Sequence, residues 1–178
     1  TTGTGLLAVG FQALYNNTTG TANTAIGNNF AGTIGSALLS NTTGSQNTAV
    51  GSGALYGNTT ANNNTACGFK ALMSNTTGAG NVAVGAFALD VNSTGETNTA
   101  LGQYTLTDNT TGSSNTAVGT GALGDNTTAS NNTAVGANAL RVNTTGTQNV
   151  AVGAFTLDAV TTQTTNTAVG YQALTACT

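Results

Sequence analysis

The chain repeats itself every 17 residues. From Asn115 it reads Asn-Thr-Ala-Val-Gly-Thr-Gly-Ala-Leu-Gly-Asp-Asn-Thr-Thr-Ala-Ser-Asn, and Asn-Thr-Ala-Val-Gly starts again at Asn132. The glycine closing that motif falls at Gly10, Gly27, Gly51, Gly68, Gly85, Gly102, Gly119, Gly136, Gly153 and Gly170. Successive spacings are 17, 24, then 17 seven times. An array of this kind buries its core coil against coil and not from distant parts of the chain. Residues 1–178 therefore form a single array of ten copies, with an insertion at about 28–34 that bulges from one coil as a loop.

Each column of the repeat has a fixed chemistry. Ala stands two before the repeat glycine, and Val, Ile, Leu or Cys stands one before it. Leu stands four after, usually preceded by Ala, with Thr105 and Thr156 as exceptions. The apolar residues do not follow a 3.6 period, and β-branched residues, Asn and Gly dominate, which argues against helix. The pattern predicts an all-β parallel solenoid with two short strands per coil, Asn-Thr-Ala-Val and the segment around Ala-Leu. Gly makes the bend between them, and Asn-Thr-Thr-Gly makes the longer turn. Stacked at about 4.8 Å, ten coils form a rod of roughly 45–50 Å. Alternation sends Ala to one face of each strand and Val or Leu to the other. Small Ala columns suit a thin gap between two sheets. The Val and Leu columns then need cover, from a partner chain or from a Gly-induced switch of facing that brings all four columns inside.

Composition excludes much chemistry. Charged residues are 4% of the chain, against roughly 25% in ordinary globular proteins. With no His, Ser-His-Asp and Cys-His catalysis are ruled out within the chain. Asp90, Glu96, Asp108, Asp125 and Asp158 fall mainly in turns and read as solvated. They form no regular Asp column of the calcium-binding repeat kind. Gly119-Thr-Gly121-Ala-Leu-Gly124 matches a dinucleotide fingerprint, but no helix pattern follows, and Ala139 stands where an acid is needed. The sequence thus points to no catalytic residue, cofactor or metal. A net charge of −3 offers no footprint for nucleic acid, and no apolar run approaches the ~20 residues of a membrane span. Cys67 takes a Val position and is expected to be a small buried residue. Cys177 lies six coils away in another column, too far for an internal disulfide.

Two asparagine columns remain. One opens an Asn-x-Thr sequon in coil after coil, at Asn17, Asn41, Asn58, Asn75, Asn92, Asn109, Asn126 and Asn143. Each is a glycan acceptor in a secreted eukaryotic protein, or else a turn residue chosen for its backbone geometry. The turn reading is the preferred one. The other column, from Asn23 to Asn166, suits a ladder of stacked amides. The Thr beside it also suggests ice binding, but with Ala and Val as its neighbours ladder stabilisation is the stronger expectation.

The Asn-Thr-Ala-Val-Gly-x-x-Ala-Leu unit resembles the repeats of bacteriophage tail fibres and related surface proteins. It is also similar to the Ser-Val-Ala-Ile-Gly head repeats of trimeric autotransporter adhesins. The resemblance covers essentially the whole chain. It implies a left-handed β-roll, three chains around an axis, and an extracellular place on a virion fibre or cell surface. It departs from adhesin heads in its longer 17-residue unit and in lacking a stalk, anchor or chaperone domain. The expectation is a non-enzymatic structural segment of an attachment fibre, self-associating as a homotrimer and meeting a cell-surface receptor or glycan. A glycosylated extracellular filament and an ice-binding solenoid are the alternatives. Thr1 and Thr178 fall at the same phase with no atypical capping repeat, which suggests a piece of something longer or end-to-end stacking.

Overall fold

The computed structural model describes residues 2–28 and 35–175. Each coil contributes one three-residue strand. These are β1 (Leu7–Val9), β2 (Thr24–Ile26), β3 (Thr48–Val50), β4 (Thr65–Cys67), β5 (Val82–Val84), β6 (Thr99–Leu101), β7 (Thr116–Val118), β8 (Thr133–Val135), β9 (Val150–Val152) and β10 (Thr167–Val169). All ten pair in parallel, in sequence order, as one sheet. The register never slips: Ala117 lies opposite Ala134, and Ala134 opposite Ala151. Nine steps of about 4.8 Å give a β-solenoid roughly 43 Å long. The described part of the insertion is Asn28, and β2 pairs with β3 as if no residues had been added.

The expected second strand is absent from the described residues. The segment from the repeat glycine to the turn Asn is instead a ribbon of overlapping turns. In one coil the N–H of Ala122 donates to Gly119 O, that of Gly124 to Gly121 O, and that of Asn126 to Leu123 O. Gly119, Gly121 and Leu123 all have positive φ, at 123°, 68° and 50°. A left-handed residue at every second position cannot continue a pleat. The ribbon still bonds along the rod, through Leu123 N–H to Ala139 O and Asp125 N–H to Arg141 O, at 3.1 and 2.9 Å.

This ribbon resolves the covering problem differently from either sequence-based expectation. Leu38, Leu55, Leu72, Leu89, Leu106, Leu123, Leu140 and Leu157 are fully buried within one chain, with both Ala columns around them. Positive φ turns each Leu inward, so Leu needs no neighbouring chain. The Val column does face out, because Ala next to it in the same strand faces in. Cys67, expected inside, belongs to that outward column and is exposed. Cys177 lies outside the described residues.

Candidate functional site

The sequon column lies inside the coil. From Asn41 to Asn143, each Nδ2 donates to the Oδ1 of the Asn one coil before, at 2.7–3.1 Å. The same nitrogen donates to the carbonyl three residues on, as from Asn109 to Gly112 O at 3.0 Å. These asparagines are buried, Asn17 nearly so and the others fully. An N-linked sugar needs the nitrogen that the ladder uses, so the folded coil has no place for a glycan at these positions. The coil after Asn143 has Val160 in this column, also buried, and Asn143 Oδ1 is left without a partner.

The second column makes a second ladder. Asn115 Oδ1 accepts the backbone N–H of Asn132 at 3.0 Å, and Asn115 Nδ2 donates to Ala129 O at 2.8 Å. Ala129 O also accepts from Asn126 Nδ2 at 3.1 Å. One turn carbonyl per coil thus ties the two ladders together. Buried polar groups cost little when every member is satisfied, and here repetition satisfies them from coil to coil.

With Leu, Ala and Asn inside, the outside of the sheet is left to Thr and Val. In each strand the first and third residues point out, as Thr116 and Val118 do. Ile26, Cys67, Val84, Leu101 and Val135 are exposed members of the third-position column, and Val50, Val118 and Val152 are half-buried. The first-position column is Thr24, Thr48, Thr65, Val82, Thr99, Thr116, Thr133, Val150 and Thr167. The sheet therefore presents a two-column face, an apolar column beside a mostly hydroxyl one, repeating at the strand spacing. A separate exposed rank of Thr runs along the turn, from Thr19 through Thr94 and Thr128 to Thr162. Beside it the Thr127 hydroxyl donates to Thr144 O at 3.0 Å, and its equivalents repeat this bond along the rod.

The carboxylates are dispersed, with Glu96 and Asp108 exposed and Asp125 and Asp158 half-buried. Asp90 is half-buried and its Oδ1 has no hydrogen-bond partner. Burial pushes its pKa above the ordinary value of 3.8; Lys70 opposes that shift and Asp108 adds to it. Among the described residues, no three His, Cys, Asp or Glu side chains converge as metal ligands. Nor is any helix among them long and apolar enough to cross a membrane. The glycine run Gly119–Gly124 lies in the turn ribbon, without the helix that a nucleotide site requires. Sequence reasoning missed the pairing of Thr with Val on one face. The alternation Thr-Ala-Val contained that signal, once Ala rather than Val is assigned to the core. Comparison with protein-family models, with characterised proteins and with solved structures finds no match to this chain.

Proposed function

We propose that this chain is a structural segment of an extracellular attachment fibre, in which copies pack side by side through the outward Val column. The observation that supports this is the exposed apolar line on an otherwise self-sufficient rod. Its interior is already filled, so a row of Ile, Val and Leu, with Cys67 among them, along ten strands has no structural duty within the chain. Three copies around an axis, as the adhesin-head resemblance implies, would bury it. The interior ladders supply stiffness, and the array supplies reach. Solution scattering tests this directly. A packed bundle gives three times the 17.3 kDa mass of one chain with an unchanged rod length. A scattering mass of one chain at all concentrations contradicts it.

One observation supports a second reading, ice binding. Ala is inside, so the outward neighbours of Thr are Val and not Ala. Ranks of hydroxyl and methyl groups on a parallel sheet in constant register are what a lattice of water can match. The two readings compete for the same face. Thermal hysteresis from a monomer at micromolar concentration favours ice binding, and its absence in a packed assembly favours the fibre.

A further inference from the structure

One surface column departs from the small residues around it. The position two after the repeat glycine carries Gly53, Lys70, Phe87, Tyr104, Gly121, Asn138 and Phe155 in successive coils. Phe87 and Tyr104 stack with ring centroids 5.2 Å apart and planes 9° apart. Phe69 meets Phe87 edge-on at 5.3 Å. Lys70 Nζ lies 5.6 Å from the Phe87 centroid, at the far end of the stack from Tyr104. One face of Tyr104 is thus covered by Phe87. The next coil has Gly121 in the same column, with no side chain to cover the other face, and Tyr104 is 46% exposed.

Gly121 and Gly124 are themselves buried, and two side chains from the following coil reach back over them. Asn138 Oδ1 lies 2.5 Å from where a Cβ on Gly121 would stand. The Arg141 stem lies 3.7 Å from the equivalent point on Gly124. Among the described residues, the Asn138 amide has no hydrogen-bond partner. Gln103, Thr107, Asp108 and Asp125 occupy neighbouring surface positions, so the ring is set among polar groups.

We infer that Tyr104, Gly121, Asn138 and Arg141 form a binding site for a neutral hexose saccharide. The flat C–H face of a sugar ring lies on the open Tyr104 face, and its hydroxyls meet the Asn138 amide and the Arg141 guanidinium. A few placed polar groups beside an aromatic wall fix a ligand's orientation. A protein partner fits less well, because a protein hot spot is ringed by contacts that exclude water. A nucleic-acid base also stacks on tyrosine. Here, however, Asp90, Asp108 and Asp125 outnumber Lys70 and Arg141, and the chain carries −3 overall, which repels phosphate.

This site deepens the attachment reading and rests on it for its biological sense, but its test is separate. Maltohexaose and cellohexaose are titrated into the full chain, followed by saturation-transfer NMR and tyrosine fluorescence. Binding is expected to at least one of them. Tyr104→Ala should weaken it at least tenfold. Gly121→Gln should do the same by displacing Asn138 Oδ1, which stands 2.5 Å from the new Cβ; Gln12 and Gln172 show that Gln adopts the φ of this column, at 56° and 52°. Circular dichroism of both variants should match the parent. Failure of the parent to bind either sugar overturns the inference, as does undiminished binding by both variants, or binding of an oligouridylate in their place. A monomer that binds sugar would sink the side-by-side packing alone, and a packed assembly that ignores sugar would sink this site alone.

Discussion

A single asparagine in the sequon column does three things at once. Asn109 donates to Asn92 Oδ1 and Gly112 O and accepts from Asn126. Val160 shows that a branched apolar residue of similar size fits the column without exposing it. Asn109→Val therefore isolates the hydrogen bonds from the packing. It leaves Asn92 Oδ1 without a donor and Asn126 Nδ2 without its ladder acceptor. Each buried orphan costs about 1–3 kcal/mol, offset by the added apolar burial. A net loss of about 2–4 kcal/mol is expected, measured by urea unfolding.

Asp90 makes a second prediction at this scale. Its folded pKa is raised, first by burial. The folded state therefore holds its proton to higher pH than the unfolded chain does. Its destabilising effect is absent below the ordinary value of 3.8 and grows as pH rises through the raised one,. Asp90→Asn should stabilise the rod at pH 7, by less than about 1 kcal/mol because the group still meets solvent. The variant should gain little at pH 3. Melting temperature followed from pH 3 to pH 7 checks both the sign and the window.

The coil is built from one short strand and one ribbon of turns. Its tightest point is the repeat glycine. A Cβ on Gly119 would stand 2.6 Å from both C and O of Gly136 in the next coil, and φ there is 123°. Gly119→Ala adds a backbone clash to a strained conformation, and a loss of more than about 3 kcal/mol is expected in chemical denaturation. Leu106 occupies the centre of the coil, and Leu106→Ala should cost about 2–5 kcal/mol through the cavity it leaves. Leu106→Asn together with Leu123→Asn should unfold the chain equally at low and high concentration, since both side chains are buried within one copy.

These elements also mark how far the sequence could be read. The 17-residue beat and the Thr-Ala-Val strand were legible because glycine spacing and alternation are local signals. A ladder along the column from Asn23 to Asn166 followed from an Asn at the same phase in each coil, whereas the ladder through the sequon column did not, because Asn before Thr-Thr reads equally well as a turn residue. The ribbon was not legible. Leu rarely adopts positive φ, and no single repeat announces that Leu123 does. Stacking imposes it, because the bond to Ala139 O and a central apolar space exist only once coils assemble. Misreading that segment as a strand made Leu look uncovered, and misplaced Cys67 with it. Of the proposed sugar site, the glycine run was visible, but the stack of Phe87 on Tyr104 needed neighbouring coils in register.

The described residues form a rod with a filled interior and an apolar column along the outside of its sheet. Its core needs no partner, so loss of assembly and loss of fold should be separable, which an obligate trimer held by Leu would not allow. Sedimentation equilibrium on the parent and on a Val84→Asp, Val118→Asp variant tests this most directly, with far-ultraviolet circular dichroism on both. The two positions lie two coils apart on the outward column, so the new charges do not stack on adjacent strands. The parent should sediment as three chains and the variant as a folded single chain with the same spectrum. A parent that sediments as one chain at every concentration, or a variant that unfolds when it dissociates, would contradict the account.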